Sequence, residues 1–543
     1  MEHLEQVIPT VKITKNNSSM KRITLIALLF GLGAICAQAG NNNAREKASG
    51  NTYQITNEVL REVNFRNSLW MESGNTAGLA FRPFKMYKEL ELNYDHTSGQ
   101  FRQAQAAGEI NNVSLNTSGA TYLGKFIIWG KFDFNNIFEK GRNMNALMYE
   151  VESDMPYYPI DTTRNCGWTK QEYELQAKLA SPVLWDRVSF GIDVNYLNCV
   201  GSKHLDPRAE TYKYEINIRP SAAVRIGSHL IGISATYLDS YERARPTNMN
   251  NWLNQAVYLH KGVGESIKGK VGDNDGIKTY LFDSSTIGAG LQYGYSGDME
   301  LLADLSFNTH KTDVISSPSL PKKEGSTKRT EVNGNLEFLF GQHKSNKLWV
   351  DGNFRKTDAT EYVTKIQSVS STEQYWQVLS QNVMSNYTQI NATIGYDHLF
   401  GAASTKGYDW IVGGNVDFMM RNDVYSLPSS IFNATTAYAN VFGGKQFKFK
   451  TSSLLVKING GYQMSLGSEY VFGGKNASYE PVNMYKAENA YYSTNYANGR
   501  ASVAYTLNTN KIGYIFKASA DYVMPLGADF HRLYTNASFG IVF

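Results

Sequence analysis

Long apolar runs are missing from most of this sequence. The one clear run, residues 23–36, lies near the N-terminus. It is shorter than the roughly 20 apolar residues that a membrane-spanning helix needs. The mean hydropathy of the whole chain is −0.37. A helical membrane protein is therefore excluded.

Cysteine, proline and an excess of charge of one sign are also scarce. The 543 residues include 3 Cys and 13 Pro, and the net charge is only +4, so nothing suggests a nucleic-acid partner. No metal-ligand cluster or phosphate-binding glycine loop is visible, and no cofactor is expected. What is abundant is Gly (46), Tyr (35) and Phe (26), which suits many strands with two unlike faces.

The N-terminus has the pattern of an export signal. The basic pair Lys21-Arg22 precedes the apolar run, and Ala37-Gln38-Ala39 follows it as a small-residue cleavage site. We expect residues 1–39 to be a cleaved signal peptide. Because Met20 directly precedes the basic pair, residues 1–19 are either an over-called start or an extended basic region. Acylation at Cys36 is the alternative, and the bulky Ile35 before it disfavours a lipoprotein.

Apolar and polar residues alternate with period two along the mature chain. Leu301, Ala303, Leu305 and Phe307 alternate with Asp304, Ser306 and Asn308, as in a strand with one apolar face. The same pattern recurs in segments 190–196, 231–237, 332–340, 348–355, 410–420, 454–464 and 512–522. Segments of about ten residues can cross a bilayer as tilted strands.

Short turns alternate with long polar stretches between these segments. The predicted tight turns are 181–182, 227–228, 297–298, 341–346, 401–406 and 508–510. The predicted long loops are 243–283, 316–328, 364–384, 427–436 and 473–498. This asymmetry is typical of an all-β transmembrane antiparallel barrel with short periplasmic turns and long extracellular loops. Counting hairpins predicts about 16 strands, with a range of 14 to 18, over residues 71–543.

Charged residues in the middle of strands favour a polar lumen, because burying them in a dry core would be costly. The lumen-facing candidates are Asp193, Asp304, Glu337, Asp351, Arg355, Asp417, Arg421, Lys457, Lys517 and Asp521. They mix both signs, so no single-sign ring indicates ion selectivity. Such a lumen could be a hydrated channel or a barrel filled by ion pairs. Tyrosine and tryptophan, among them Trp129, are expected in girdles at the two interfaces.

The last strand ends in alternating apolar residues and a terminal aromatic: Phe539, Ile541 and Phe543. It resembles the C-terminal signal by which the barrel-assembly machinery recognises outer-membrane barrels. That resemblance implies two partners, the assembly machinery and outer-membrane lipid.

Residues Asn67-Ser68-Leu69-Trp70 lead into Gly74-Asn75-Thr76-Ala77-Gly78-Leu79. With the signal peptide and the closing strand, this segment resembles uncharacterised outer-membrane barrel proteins of Bacteroidota. The Asn-x-Ala-Gly-Leu element is similar to the start of fatty-acid-transporter-type barrels, although Thr76 stands where that family has proline. The ligand of that transporter family is not assigned to this chain.

Residues 40–70 precede the predicted barrel. Ile55, Val59, Leu60 and Val63, with Asn57 and Glu58 at the front, predict one short amphipathic helix. The segment could be a plug inside the lumen or a periplasmic extension at the barrel mouth. The chain is too short for a globular plug and the 22-stranded barrel of a TonB-dependent receptor.

Cys166 and Cys199 flank a predicted hairpin near its loops, so a disulfide between them is expected, with two free thiols as the alternative. An enzyme is not expected. The pairs Asp95-His96 and Asp397-His398 point to opposite faces of their strands, and His310 with Asp313 forms no recognisable motif.

These patterns favour transport, or an accessory uptake role with a surface or periplasmic partner, for an unknown substrate. The alternative is a surface adhesin or partner-docking barrel that acts through its extracellular loops. An outer-membrane hydrolase is the third hypothesis.

Overall fold

The computed structural model describes residues 57–82, 84–148, 154–162, 165–249, 256–271, 279–317, 320–370, 373–402, 407–509, 512–527 and 529–543. The predicted signal peptide, Cys36 and residues 40–56 lie outside these ranges. Helix α1 (Glu58–Arg66), helix α2 (Leu69–Glu72) and a 3-10 turn (Thr76–Ala80) precede the strands, and helix α3 (Glu480–Ser493) and a 3-10 turn (Gln342–Lys344) lie between strands. No helix in these ranges is long and apolar enough to cross a membrane.

Eighteen antiparallel strands form one closed barrel. They are β1 (Tyr87–Gly99), β2 (Glu109–Leu123), β3 (Phe126–Arg142), β5 (Cys166–Ala180), β6 (Val188–Lys203), β7 (Arg208–Ile226), β8 (His229–Thr247), β11 (Tyr280–Ser296), β12 (Glu300–Ser316), β13 (Lys322–Phe340), β14 (Asn346–Ser368), β15 (Gln374–Phe400), β16 (Trp410–Ser426), β17 (Ser429–Lys448), β18 (Ser452–Val471), β19 (Tyr496–Asn508), β20 (Gly513–Pro525) and β21 (Arg532–Val542). A separate three-stranded sheet contains β4 (Pro159–Asp161), β9 (Ala256–Gly262) and β10 (Glu265–Lys270).

Pairing of the first and last barrel strands closes the wall. Strand β1 pairs with β21 from Glu89–Val542 to Gly99–Arg532, so the barrel has no free edge along this seam. Closure satisfies the backbone polar groups that lipid could not. The predicted fold class is confirmed, and the 18 strands are at the upper end of the expected range.

The outer wall of the barrel exposes apolar side chains in rows. Ile233, Leu291 and Leu305 are cross-strand neighbours on β8, β11 and β12, and their exposed fractions are 59, 56 and 54%. A continuous apolar face of this kind would be unfavourable in water. It is the surface that a transmembrane barrel presents to lipid.

The two ends of the barrel differ in their connections. At the turn end, where β1 begins and β21 ends, the connections between consecutive barrel strands are short. Four of the six predicted tight turns lie there in full. The described parts of the other two, residues 401–402 and 508–509, lie there as well, and the rest of those two turns is outside the described ranges. At the loop end, three of the predicted loops are mostly strand. Strand β13 begins at Lys322, within the predicted loop 316–328, and β17 begins at Ser429, within the predicted loop 427–436. In the predicted loop 364–384, β14 continues to Ser368 and β15 begins at Gln374. Polar strands are stable above the lipid, where neither face must be apolar, so polarity alone did not separate them from loops.

Described parts of the other two predicted loops cover the loop end, together with the connection between β3 and β5. Residues 143–148 and 154–162, the β9–β10 hairpin and helix α3 form this cap. Its apolar cluster includes Tyr158, Ile160, Leu259 and Tyr485, and it packs against wall residues such as Tyr387. The cap closes much of the lumen from the loop end.

A buried histidine makes the cap sensitive to acid. His260 is 2% exposed between the rings of Tyr158 and Tyr485, and burial lowers the pKa of its imidazole to about 3. As the pH falls, His260 therefore takes up a proton in the unfolded chain before it does so in the folded chain. The stability contributed by neutral His260 is lost as the pH falls from about 6.5 toward 3. We expect near-ultraviolet circular dichroism of the cap tyrosines to weaken over this range.

The His260→Phe variant is the control for that titration. Its ring is of similar size and cannot take up a proton. The signal of this variant should stay constant over the same pH range. An equal loss of signal in both proteins would contradict a role for His260.

Candidate functional site

The chain enters the barrel at its turn end before it forms the first strand. We call residues 57–82 and 84–86 the inserted segment. Its helix α1 is capped by the Asn57 side chain, which accepts a 2.8 Å hydrogen bond from the Leu60 backbone N–H. Glu58 in the first turn and Arg66 in the last turn suit the helix dipole. The helix that the sequence predicted is therefore present.

The sequence predicts that the barrel domain begins at residue 71. Helix α2 and the 3-10 turn still belong to the inserted segment, and the barrel begins at Tyr87. Periodicity could not locate this boundary because residues 71–86 follow neither a helical nor a strand pattern.

Apolar contacts seat the inserted segment against the wall. Trp70, Leu79 and Phe84 are each at most 5% exposed in a cluster with wall residues such as Leu302. Gly191 of β6 lies so close that a Cβ atom there would come within 2.4 Å of the Ala77 backbone nitrogen. Only glycine at this position lets the segment lie against the strand.

Ion pairs connect α1 to the wall on several sides. Arg66 donates to Asp397 Oδ1 of β15 through Nε at 2.9 Å, and both side chains are under 10% exposed. Glu62 accepts from Lys457 Nζ of β18 at 2.5 Å. Arg61 binds Glu89 of β1. Tethers on three different strands hold the helix across the opening.

A second set of tethers lies farther along the segment. Asp304 of β12 accepts from the Ser73 hydroxyl and the Gly74 backbone N–H, each at 2.9 Å. Asn75 Nδ2 lies 2.9 Å from Gln292 Oε1 of β11. Lys178 of β5 donates to the Met71 carbonyl. The segment is thus hydrogen-bonded to strands around the circumference and obstructs the turn end.

A polar cavity of about 910 Å³, which we call the chamber, lies between the inserted segment and the cap. Gly74 lines it on the side of the segment, and Leu147 and Met155 line it on the side of the cap. The inner faces of β7, β8 and β11–β15 form its wall. The lumen is therefore neither an open pore nor completely filled.

A family of unknown function, DUF6850, matches residues 76–543. The chain belongs to this family. The match includes the whole barrel and begins inside the inserted segment, at the 3-10 turn. No curated protein matches the chain.

Several solved structures are similar at low identity. The ferric preacinetobactin receptor BauA of Acinetobacter baumannii has 8% identity and a TM-score of 0.35, with 84% of this chain and 80% of that chain covered. The toluene transporter TodX of Pseudomonas putida has 12% identity and a TM-score of 0.28, with coverages of 88 and 92%. The ferripyoverdine receptor of the outer membrane of Pseudomonas aeruginosa has 8% identity and a TM-score of 0.37, with 84% of this chain and 72% of that chain covered.

In this DUF6850 chain, all ten lumen-facing candidates lie on the inner face of the wall. Asp304, Lys457 and Lys517 contact the inserted segment. The others are bonded to neighbours on the wall or line the chamber: Asp193 with Arg219, Glu337 with Lys347, Arg421 with Asp423, Arg355 with Gln389, Asp417 with Thr393, Asp521 with Asn498, and Asp351 at the chamber.

The partners on the inserted segment are absent from the site residues predicted from the sequence. Glu62, Arg66 and Asn75 were not singled out as functional, although α1 alternates acidic and basic residues. That alternation was a usable signal of polar surroundings. Their wall partners are several hundred residues away in sequence, so no local pattern pairs them.

The predicted disulfide is wrong. Cys166 and Cys199 do not form a disulfide in the structure, and both are buried. Strand β6 continues to Lys203 instead of ending near Tyr196, and it places Cys199 opposite Glu172 of β5. Cys166 is six residues farther along β5, which is about 20 Å at 3.3 Å per residue. One disulfide cannot span that distance.

The catalytic candidates are not assembled into a relay. Asp397 faces the lumen and binds Arg66, whereas its neighbour His398 binds Asn346. His310 lies between Thr286 and Thr312, and Asp313 binds Lys311. Asp95 accepts from Asn536, and His96 contacts Asn111. Within the described ranges, no group of three or more His, Cys, Asp or Glu side chains could hold a metal ion.

The structure places Trp129 and the C-terminal phenylalanines in different surroundings. Trp129 is not at an interface girdle, because its ring is 7% exposed and donates from Nε1 to the Tyr87 hydroxyl. Phe539 and Phe543 are exposed, at 38 and 47%, near the end of the closing strand, where Ile541 pairs with Leu90 of β1.

Proposed function

We propose that the protein is a gated transport barrel of the outer membrane, exported by a cleaved signal peptide. The observation that carries the proposal is the inserted segment, which obstructs the turn end by polar tethers to several strands while a polar chamber remains above it. A solute that enters from the loop end must displace this segment to leave the barrel. The turn end is then the periplasmic end.

The character of the contacts supports a movable gate. The wall is held by continuous backbone ladders, whereas the inserted segment is held by side-chain hydrogen bonds, ion pairs and two apolar clusters. Its release therefore costs less than unfolding the barrel, and local opening of this kind is the usual basis of gating. A periplasmic uptake partner could drive that release. Assembly through Phe539, Ile541 and Phe543 completes the proposal.

A reversible cross-link tests whether transport depends on movement of the segment. In a background with Cys166→Ala and Cys199→Ala, the pair Ser73→Cys and Asp304→Cys replaces side chains whose oxygens lie 2.9 Å apart. In vesicles at mild urea, solute efflux should occur through the reduced protein and stop when the cysteines are oxidised. Efflux through the cysteine-free parent protein should be the same with and without oxidant. Equal efflux in both redox states would place the solute path elsewhere.

A second candidate function is partner docking through the ribbon formed by the ends of β14 and β15. Residues 374–383 of β15 pair only with β14, and Tyr375 and Leu379 are 48 and 55% exposed. Removing this ribbon separates the two functions. If the ribbon docks a partner, the protein without it should no longer bind to the cell surface, and its efflux should be unchanged. If the protein acts in transport alone, removing the ribbon should cause no loss of binding.

A further inference from the structure

We propose that the chamber is a binding site for a neutral, polyhydroxylated solute, namely a short oligosaccharide in transit. This proposal rests on the gated transport function. The volume of about 910 Å³ is within the roughly 300–1,000 Å³ range of small-molecule sites. The chamber lies on the solute path between cap and gate, so a ligand there would be the cargo.

The chemistry of the lining favours hydroxyl groups as ligand. Fifteen of the 32 lining residues are Ser, Thr, Asn or Gln, and they are distributed over adjacent strands. Amides and hydroxyls both donate and accept hydrogen bonds, as sugar hydroxyls do. Phe282 is the one aromatic residue in the lining, so a flat apolar ligand would find little to stack on.

Both arginines of the lining are paired with carboxylates of the protein. Arg329 forms two hydrogen bonds with Asp154, at 2.8 and 2.9 Å. Arg219 pairs with Asp193 at 3.1 Å. Asp304 accepts from Ser73 and Gln292. The carboxylates of Glu331 and Asp351 also line the chamber, and they accept hydrogen bonds from Asn353 and Asn335. They would repel an anionic solute, whereas a sugar hydroxyl can donate to a carboxylate oxygen.

Some acceptors in the chamber have no partner. Asn217 Oδ1 on β7 and Asn308 Oδ1 on β12 are buried and receive no hydrogen bond from any described residue. An unsatisfied buried acceptor costs about 1–3 kcal/mol unless water or ligand supplies a donor. Sugar hydroxyls can donate to both. Because stacking is limited, binding should be weak, which suits a solute that must also leave.

Ligand titration of the full chain in detergent micelles tests the assignment. Maltotetraose is the neutral probe and tetraglycine, which carries terminal charges, is the comparison, both followed by saturation-transfer NMR. Maltotetraose should bind and tetraglycine should not. Loss of one hydrogen bond in Asn308→Leu or Asn217→Leu should weaken binding about three- to tenfold.

The matched control is Asn459→Leu. Asn459 is on the inner face of β18, its Oδ1 also has no partner among the described residues, and it does not line the chamber. Its substitution should leave sugar binding unchanged. No binding of maltotetraose, equal binding of tetraglycine, or equal weakening by Asn459→Leu would overturn the proposal. If the cross-link still controls efflux in that case, the gate stands and only the ligand assignment fails.

Discussion

Replacing Leu291 by arginine is expected to destabilise the barrel by about 2–4 kcal/mol, the cost of arginine near the midplane of a bilayer. Leu291 lies in the apolar row between Ile233 and Leu305 on the outer wall and is 56% exposed. In water, a substitution at such an exposed position would cost little. The large penalty arises only if lipid covers the row. Urea unfolding in lipid vesicles, followed by tryptophan fluorescence, measures it.

Leu379→Arg is the matched control. Leu379 is 55% exposed, almost the same fraction as Leu291, but it lies on the part of β15 that extends beyond its pairing with β16. The free energy of unfolding of this variant should differ from that of the unchanged protein by less than about 0.5 kcal/mol. Equal effects at the two positions would mean that the row around Leu291 does not face lipid.

Removal of the Asp397 carboxylate should release the inserted segment without unfolding the barrel. Asp397→Ala leaves the Arg66 guanidinium buried without its carboxylate partner, and breaking such a pair costs about 3–5 kcal/mol. Because the segment can undock, the docked population should fall by about two to four orders of magnitude relative to the undocked one. Trypsin should then cleave after Arg61 or Arg66 much faster than in the unchanged protein.

The Asp409→Ala variant controls for a general effect of charge at the turn end. Asp409 pairs with Lys448 at 2.7 Å, but the two side chains are 56 and 37% exposed. An exposed pair of this kind contributes at most about 1 kcal/mol. Cleavage in α1 should therefore stay slow. Slow cleavage in Asp397→Ala as well would mean that the Arg66 tether does not hold the segment.

The wall of the barrel could be predicted from the sequence because its physics is local. Asp304 and Leu305 are adjacent residues that face lumen and lipid, and period-two alternation follows directly from strand geometry. All ten lumen-facing candidates were identified from this alternation. The strand number could also be bounded, since a closed barrel needs a turn at each hairpin.

Features that depend on distant contacts could not be predicted. The register that separates Cys166 from Cys199 is set by how far β6 continues above the lipid, where polarity no longer distinguishes strand from loop. The tethers of Arg66 and Asn75 pair residues far apart in the chain. The inward fold of the cap depends on tertiary packing of apolar residues in otherwise polar loops.

Single-channel recording of the mature protein in a planar bilayer, with and without residues 57–80, tests most directly whether the inserted segment closes the barrel. The account predicts a closed or rarely open intact protein and a steady current after the deletion, because the tethers across the turn end are gone while the wall is complete. Equal steady current in both proteins would show that the segment does not obstruct the lumen. Silence in both would show that the barrel is filled, and either result would contradict the gate.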